Sequence, residues 1–335
     1  MRYIIYGAGA VGGVVGARLH QAGSDVVLIC RGDHLRAVRE RGLLLRAPDG
    51  DHRLAIPAVG HPGDLRFQPD DIVILTMKGH QTAAALDDLE AAGGWDLPVI
   101  CCQNGVANEP LAARRFARVY GMVVLLPATF LTPGEVIGFG TPVSGVLDCG
   151  LYPGGVDDLI VRVAADLSRA RFVCRPVPDV MRLKYAKLLS NLENGVNAAI
   201  GEPADDPARR AFVQRLRDEA RAVYAAAGIA YAGEEEFRER VRGHYTMGEV
   251  PGAPRGGSST WQSLARGHQR LEVDYLNGEI VMLGRIAGVP TPCNAAVRRL
   301  AQELALAGAP PGSRTLADLE ALAARYAAEA QPAQA

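Results

Sequence analysis

Short apolar runs and glycine-rich turns alternate at the start of the chain, in a pattern that predicts a strand, a helix and a second strand. Tyr3–Tyr6 is an apolar, β-branched run that indicates a buried strand. Val11–Gln21 is compatible with a helix, which Ala22-Gly23 ends, and Asp25–Cys30 is a second apolar strand. We therefore expect a βαβ unit over this stretch.

The turn between the first strand and the helix has the spacing of a dinucleotide-binding loop. Its residues are Gly7, Ala8, Gly9, Ala10, Val11 and Gly12. Gly7 permits the tight turn, Gly9 leaves room for a pyrophosphate, and Gly12 lets the helix pack closely on the sheet. The diphosphate would bind the free N–H groups of that helix. A signal peptide is the alternative, but the glycines within the apolar run and the second strand argue against it.

Two further buried strands, Asp71–Met77 and Pro98–Cys102, each deliver polar residues at their carboxyl ends. Lys78 and Gln81 follow the first of them, and Asn104 follows the second. In an open α/β sheet these ends form the ligand crevice, so we expect the three side chains to project towards the cofactor. Ordinary turn chemistry is the alternative, which Asn104 followed by glycine would also suit.

Arg31 ends the second strand, where an NAD-specific domain usually places a carboxylate for the ribose hydroxyls. A guanidinium at this position suits the adenosine 2′-phosphate of NADP. The alternative is an ordinary exposed arginine, an interpretation that the nearby Asp33 favours. The sequence predicts NADP, used as NADPH, as the cofactor.

The pattern of apolar residues changes twice further along the chain. Val119–Pro153 has apolar runs broken by Pro and Gly, which predict antiparallel strands that extend the sheet. A helix at Leu159–Ala170, a strand at Phe172–Cys174 and a linker at Pro176–Pro178 follow. Beyond the linker, Leu, Val and Ala recur at three- and four-residue spacing. Helices are predicted at Val180–Ile200, Pro207–Gly228, Gly233–His244, Ser259–Gly288, Asn294–Ala307 and Thr315–Ala330.

These patterns predict two domains, in agreement with a length of 335 residues. Residues 1–176 form an α/β, Rossmann-type dinucleotide-binding domain. Residues 177–330 form an all-α helical C-terminal domain. Between two of its helices, Gly248–Gly257 is too rich in Gly and Pro for regular structure, and we expect a mobile segment in which Arg255 pairs with a substrate carboxylate.

One face of the helix that opens the second domain carries amines and amides. Lys184, Lys187, Asn191 and Asn194 fall at i, i+3, i+7 and i+10. A solvated face is the alternative, but asparagine is a poor helix former, and two of them beside lysines suggest a bound ligand. Lys187 stacks one turn from Asn191, whereas Lys184 is nearer the linker and solvent. We therefore predict Lys187 as the proton donor.

A carboxylate in the predicted helix Ser259–Gly288 and three hydroxyls at the start of that helix are further candidates. Glu272 lies inside an apolar run, and a solvent-facing carboxylate is an equally weighted alternative. Ser258, Ser259 and Thr260 follow the Gly/Pro segment. One of them is expected to cap the helix, and the others could hold a carboxylate substrate.

Composition excludes several other classes of protein. A net charge of −1 without a Lys/Arg block argues against a nucleic-acid partner. The longest apolar stretch, Tyr120–Leu131, is interrupted by Pro127 and is shorter than the roughly 18 residues of a membrane span. Six cysteines without CxxC spacing suggest reduced core thiols, and seven histidines without paired spacing predict no metal site. We expect a soluble, cytoplasmic protein.

Several motifs in order resemble the ketopantoate reductase family, within the 6-phosphogluconate-dehydrogenase-like group. They are GAGAVGG at the start, Arg31, MKGHQT at 77–82, CQNGV at 102–106, KLLSN at 187–191, SSTWQSL at 258–264, EVDYLNGEI at 272–280 and GVPTP at 288–292. The resemblance implies NADPH-dependent reduction of a 2-oxo acid, ketopantoate in the best-known members, to the 2-hydroxy acid pantoate.

The resemblance also implies roles for single residues. The family's catalytic lysine falls on Lys187, and its substrate-hydroxyl carboxylate on Glu272. Its substrate-binding asparagine falls on Asn191, its asparagine near the nicotinamide on Asn104, and its cofactor contacts on Arg31 and Lys78, whereas Asn194 lies one residue before the family's further asparagine. The family commonly has a further asparagine four positions after Asn191, where this chain has Gly195. Its substrate serine matches Ser259 by motif and Thr260 by counting back from Glu272.

Other functions stay open at the level of the sequence. A related hydroxyacid or polyol dehydrogenase would use the same fold with another substrate. A non-enzymatic NADPH sensor needs only the first domain's motifs, so Lys187 with Glu272 argues against it. The identity of the 2-oxo acid and the oligomeric state, a homodimer among them, are not fixed.

Overall fold

The computed structural model describes residues 1–201, 206–253 and 256–330. The chain divides into two compact units: the first unit is Met1–Lys184 with Ala232–Arg255, and the second unit is Tyr185–Tyr231 with Gly256–Ala335. The predicted divide between residues 176 and 177 falls just before the point where the chain passes from the first unit to the second. The structure also places Ala232–Arg255 in the first unit.

The strands are β1 Arg2–Tyr6, β2 Asp25–Ile29, β3 Leu43–Ala47, β4 Gly50–Leu54, β5 Ala58–Val59, β6 Asp71–Leu75, β7 Val99–Cys101, β8 Val119–Met122, β9 Ala128–Thr129, β10 Glu135–Gly138, β11 Gly140–Pro142, β12 Gly145–Val146, β13 Cys149–Leu151, β14 Phe172–Val173 and β15 Tyr245–Met247. The helices are α1 Ala10–Gln21, α2 Gly32–Arg41, α3 Thr82–Ala91, α4 Asn108–Ala113, α5 Asp158–Arg169, α6 Val180–Asn191, α7 Glu193–Ile200, α8 Pro207–Ala227, α9 Glu234–Glu239, α10 Ser259–Ala265, α11 Asn277–Ala287, α12 Pro292–Leu306 and α13 Leu316–Ala330. Short 3₁₀ helices lie at Pro62–Asp64, Gly79–Gln81 and Glu272–Tyr275.

Within the described residues, the main sheet of the first unit has the strand order β13-β8-β7-β6-β1-β2-β5. β1 lies parallel to both β2 and β6, which confirms the predicted βαβ unit. Side chains of β1 are buried on both faces of the sheet, with Ile5 in one apolar cluster and Ile4 in another. This double burial explains why the predicted strands are continuous apolar runs.

The region from Val119 to Pro153 differs from its prediction. β8 continues the parallel sheet beside β7, and only β13 extends it in antiparallel fashion. β9 and β10 instead join β3 and β4 in a separate sheet of order β4-β3-β10-β9. Pro127 lies between β8 and β9, where the chain leaves the main sheet, whereas Pro133 and Gly134 lie between β9 and β10 of one sheet.

A strand also interrupts the region predicted to be helical. The helix expected over Gly233–His244 ends at Glu239, and β15 follows it and pairs antiparallel with β11. This pairing joins Ala232–Arg255 to the first unit, because β11 belongs to that unit. The sequence pattern did not predict β15 because its partner strand, β11, is distant in the sequence.

The second unit is helical in its described part, but the long helix predicted over Ser259–Gly288 is broken. α10 ends at Ala265, and Gly267 follows with φ of +72° and donates its N–H to Leu264 O at 2.9 Å. A 3₁₀ helix, Glu272–Tyr275, then precedes α11. The left-handed conformation of Gly267 is the physical cause of the break.

These elements confirm the predicted fold class, a Rossmann-type α/β unit combined with a helical unit. The order β5-β2-β1-β6-β7-β8 is that of a doubly wound dinucleotide fold. All six cysteines are buried free thiols, as the sequence predicts. None of the helices in the described part of the chain is long and apolar enough to cross a membrane.

Candidate active site

In the glycine turn after β1, the fold requires glycine at Gly7 and Gly12 but does not require it at Gly9. Gly7 has φ of +103°, and a Cβ there would lie 2.8 Å from Met77 N. A Cβ at Gly12 would collide with Thr76 Oγ1. A Cβ at Gly9, by contrast, meets no described atom within 4 Å. The open space at Gly9, where α1 begins, fits the pyrophosphate of a dinucleotide.

Side chains hold this turn in shape. Thr76 Oγ1 donates to Gly7 O at 2.7 Å. His34 Nδ1 accepts from Gly134 N at 2.9 Å, so the ring proton is on Nε2, which donates to Ala8 O at 2.8 Å. Burial lowers the pKa of His34, which favours this neutral form. The turn is therefore preformed.

Arg31 lies between β2 and α2, and 65% of its side chain is exposed. Its Nη2 donates to Asp88 Oδ2 at 2.9 Å and contacts the Tyr6 hydroxyl at 3.4 Å. Asp33 pairs with Arg36 and not with Arg31. Arg31 is thus an exposed cation at the carboxyl end of β2, with a partner on α3.

Lys78 and Asn104 lie at the carboxyl ends of the neighbouring strands β6 and β7, and Gln81 is exposed at the end of a 3₁₀ helix. Since β7, β6, β1 and β2 are adjacent and parallel, the structure brings these residues, the glycine turn and Arg31 to one edge of the sheet. The first-unit residues predicted from the sequence therefore line one edge.

A buried network joins the loops after β6 and β7, and the sequence analysis did not identify it. Gln103 Nε2 donates to Met77 O and to Thr82 Oγ1, both at 2.9 Å. Thr82 Oγ1 donates to Asn108 Oδ1 at 2.7 Å, and Asn108 Nδ2 donates to Asn104 O at 3.2 Å. These bonds fix the backbone on which Asn104 is carried. The QNG motif, which contains Gln103, was the sequence feature that could have indicated this network.

Lys184 is buried, which corrects the prediction that it lies nearer solvent. It forms an ion pair with Glu109, and both side chains are excluded from water. Its Nζ also donates to Gln103 O at 3.0 Å and lies 3.4 Å from both Cys101 O and Met122 O. Burial raises the pKa of Glu109, and the charge of Lys184 opposes that effect. Lys184 is a structural cation at the ends of β7 and β8.

Lys187 and Asn191 lie one turn apart on α6, in the second unit, and both are partly buried. Asn191 Oδ1 is fully buried and has no hydrogen-bond partner among the described residues. A buried amide oxygen without a partner costs free energy, so this atom fits a group that donates to it. Asn194, at the start of α7, accepts through its backbone carbonyl from Ser258 Oγ at 3.2 Å.

Ser258 is the helix cap that the sequence predicts within the hydroxyl cluster. Its Oγ accepts from Trp261 N at 3.3 Å at the start of α10. The neighbouring Ser259 Oγ and Thr260 Oγ1 are both buried, and neither has a hydrogen-bond partner in the part of the chain that the structure describes. Both hydroxyls therefore fit a ligand role, so the structure does not choose between them.

Glu272 is 3% exposed, so the solvent-facing alternative is wrong. It begins the 3₁₀ helix that lies against α7, where Val273 Cγ2 would be 3.3 Å from a Cβ at Gly195. α10 also packs on α7, so the elements that carry Glu272 and the hydroxyls meet on this helix. A Cβ at Gly195 would lie only 2.6 Å from Val297 Cγ1, which leaves no room for the family's asparagine.

The first residues of the Gly/Pro segment contact residues in and just after β10. Gly248 N donates to Phe139 O at 2.7 Å, and Val250 packs with Ile137 and Phe139. This part forms no regular helix or strand, as the sequence predicts, and its mobility stays a prediction. Arg255 lies outside the described residues. Across the described ranges, no cluster of three His, Cys, Asp or Glu residues is arranged to hold a metal ion.

Comparison with known proteins gives matches along most of the chain. The family models "Ketopantoate reductase PanE/ApbA" and "Ketopantoate reductase PanE/ApbA C terminal" match residues 3–149 and 179–305. The 2-dehydropantoate 2-reductase of Archaeoglobus fulgidus is 30% identical over 299 residues, which cover 88% of this chain and 94% of that protein.

Solved structures show the same fold. A PanE/ApbA family ketopantoate reductase from Ralstonia eutropha JMP134 is 27% identical, with a TM-score of 0.77 and coverage of 92% of this chain and 99% of that one. A ternary structure of D-mandelate dehydrogenase with NADH and anilino(oxo)acetate is 24% identical, with a TM-score of 0.80 and coverage of 92% and 99%. The second likeness concerns the fold alone.

A doubly wound sheet with a glycine turn at its carboxyl edge, combined with a helical unit, is the architecture of a dinucleotide-binding protein. The matches to both family models and to a 30% identical relative are more specific. The chain belongs to the ketopantoate reductase family.

Proposed function

We propose that the protein catalyses the NADPH-dependent reduction of 2-dehydropantoate (ketopantoate), a 2-oxo acid, to pantoate. The observation that carries this proposal is the group of buried polar atoms without partners in the second unit. Those that belong to residues predicted to bind the substrate are Asn191 Oδ1, Ser259 Oγ and Thr260 Oγ1. Because burial of such atoms is costly, a ligand rich in donors and acceptors suits them. A relative named 2-dehydropantoate 2-reductase, covered over 94% of its length, supports the substrate.

The cofactor site of this proposal lies at the carboxyl edge of the main sheet. The residues that would hold the cofactor are Gly7, Ala8, Gly9, Ala10, Val11, Gly12, Arg31, Lys78, Gln81 and Asn104. When bound, NADPH supplies the hydride that reduces the keto carbon. Arg31 supports NADP over NAD, because an exposed guanidinium suits a 2′-phosphate.

The chemistry assigned to the second unit is proton transfer and orientation of the substrate. Reduction of a ketone leaves an alkoxide, which the Lys187 ammonium stabilises and protonates from Nζ. The hydroxyls of Ser259 and Thr260 donate to the substrate's carboxylate and keto oxygens, and the side-chain amide of Asn191 orients the substrate. Glu272 accepts a hydrogen bond from the substrate's hydroxyl. Lys187 and Glu272 are the catalytic pair of the proposal.

The cofactor preference is tested by titrating the purified protein with NADPH and NADH. Loss of a charge-assisted contact is worth about 1.5–3 kcal/mol, so Arg31→Ala should weaken NADPH binding roughly ten- to a hundred-fold and leave NADH binding unchanged. Arg36→Ala is the matched control, because it removes an exposed arginine of α2 whose partner is Asp33. Equal losses for the two cofactors, or none, would refute the assignment.

The substrate is tested by measuring kcat/KM for a panel of 2-oxo acids with NADPH. Ketopantoate should give the highest value, and an analogue without the hydroxyl should lose its contact with Glu272. Absence of turnover across the panel would favour the NADPH sensor instead. Oxidation of a polyol in preference to any reduction would favour the polyol dehydrogenase.

A different 2-oxo acid is the second candidate substrate, and Gly195 favours it. The family's asparagine at this position cannot be accommodated, because Val297 lies too close. The site therefore offers one amide fewer than is common in the family. Phenylglyoxylate, the 2-oxo acid that corresponds to mandelate, belongs in the panel because of the fold shared with D-mandelate dehydrogenase.

Two further features belong to the proposal. Six buried free thiols support a cytoplasmic location. A homodimer is supported by exposed apolar side chains on α11 and α12, where Ile286 is 76% and Leu306 is 67% exposed. Sedimentation equilibrium tests the dimer, which should have twice the 35.5 kDa mass of the chain.

A further inference from the structure

Asp88, on α3, is the acceptor of three donors at the carboxyl end of β1. Tyr6 Oη donates to its Oδ2 at 3.0 Å, and Arg31 Nη2 donates to the same oxygen at 2.9 Å. His61 Nε2 faces Oδ1 at 3.4 Å. Because Gly63 N donates to His61 Nδ1 at 3.0 Å, the ring proton is on Nε2 and points to the carboxylate.

This arrangement keeps Asp88 negatively charged. Burial acts to raise its pKa, but the hydrogen bonds from Tyr6 and His61 and the charge of Arg31 outweigh that effect and hold the pKa below its usual value. A permanent anion therefore lies in direct contact with the guanidinium that the proposed function assigns to the 2′-phosphate.

Only one nitrogen of Arg31 is engaged. Nη2 makes both contacts, whereas Nε and Nη1 have no hydrogen-bond partner among the described residues. The side chains of Arg31 and Asp88 are 65% and 30% exposed, so the pair is accessible to a ligand. An exposed ion pair of this kind contributes little free energy, so a stronger anion can compete with it.

We propose that Asp88 is a specificity-determining residue, which competes for Arg31 and so reduces the preference of the protein for NADPH over NADH. The inference rests on the proposed role of Arg31. A 2′-phosphate that approaches Arg31 must share its charge with Asp88, and two anions on one cation repel each other. NADH has a 2′-hydroxyl at this position and does not meet this cost.

The test is Asp88→Asn, which keeps the size and the hydrogen-bond acceptor and removes the charge. We expect the Kd for NADPH, measured by calorimetry on the protein without substrate, to fall about 3- to 10-fold. The Kd for NADH should change less than about twofold. Asp87→Asn is the matched control, because it removes the neighbouring charge on α3, whose partner is Arg115. Asp88→Ser is a second variant in case the amide disturbs folding.

The outcomes separate this inference from the proposed function. A Kd for NADPH that is unchanged or higher in both Asp88 variants overturns the inference. A gain that persists in the Arg31→Ala background also overturns it, because Asp88 would then not act through Arg31. If Arg31→Ala alone fails to weaken NADPH selectively, the proposed role of Arg31 fails, whatever Asp88 does.

Discussion

Two lysines one helical turn apart on α6 have different surroundings. Lys184 is enclosed with Glu109 and three backbone carbonyls, and it has no access to a substrate within the first unit. Lys187 is partly exposed in the second unit. Spacing along a helix places both on one face, but the partner of Lys184 comes from α4, which the sequence pattern cannot show. The choice of Lys187 as proton donor stays a prediction.

Lys187→Ala should lower kcat by about 10²- to 10⁴-fold, because the general acid and the stabilising charge are both lost. The Kd for NADPH should stay unchanged, since the proposed cofactor residues lie in the first unit. Stopped-flow turnover and calorimetry measure the two quantities. Ser190→Ala is a suitable control, because it changes an exposed neighbour on the same helix.

Lys184→Ala distinguishes a structural lysine from a catalytic one. Removal of one partner from a buried ion pair costs about 3–5 kcal/mol, so this variant should unfold at a lower urea concentration. Replacement of the pair by Lys184→Met with Glu109→Leu should recover much of the loss. A stable Lys184→Ala enzyme with kcat reduced as far as expected for Lys187→Ala would contradict the assignment.

At the scale of elements, local patterns predicted β1, α1 and β2 because each is continuous and apolar in its own sequence. The break after α10 was not predicted, because the backbone angle of Gly267 has no trace in a three- or four-residue repeat. β15 was also missed, since its partner β11 lies far away in the sequence. The periodicity of a segment therefore cannot predict elements that depend on partners distant in the sequence.

The glycine turn permits a prediction that separates folding from binding. Gly9→Ala should leave the melting temperature unchanged, because its Cβ meets no described atom within 4 Å. It should weaken NADPH binding by at least about tenfold, because the Cβ enters the space assigned to the pyrophosphate. Thermal unfolding and calorimetry check the two parts.

Gly12→Ala is the matched control for that variant. Its Cβ would collide with Thr76 Oγ1 and Gly7 O, so it should lower the melting temperature as well as the affinity. Wild-type affinity in a folded Gly9→Ala protein would show that the pyrophosphate does not approach this backbone.

At the scale of the whole molecule, the sequence predicted that the second half is mainly helical. It did not predict that Ala232–Arg255 belongs to the first unit. This placement depends on β11 with β15 and on Asp148, which binds both Arg175 and Arg240. Arg175 and Arg240 carry no motif that would join them. The site residues that belong to a sequence motif could be predicted. The buried polar atoms without hydrogen-bond partners could be identified only in the structure.

The stability of the whole chain should depend on pH through Glu279. This carboxyl lies on α11, is 9% exposed, and has no ion pair or side-chain hydrogen bond among the described residues. Burial raises its pKa from 4.5 to about 7. The folded chain therefore binds this proton more tightly than the unfolded chain does. The stabilising contribution is complete below pH 4.5 and is lost as the pH rises to about 7.

Glu279→Gln removes this titration, and so it should flatten the pH dependence of the free energy of unfolding. A shift of this size corresponds to about 3 kcal/mol, so the variant should gain up to that amount over wild type at about pH 8.5 and under about 1 kcal/mol at about pH 5. Urea unfolding across this pH range measures the difference. Glu329→Gln removes an exposed charge from α13 and should leave the pH dependence as it is in wild type. Parallel curves for wild type and Glu279→Gln would mean that this carboxyl is solvated in the folded chain, because only desolvation separates its two pKa values.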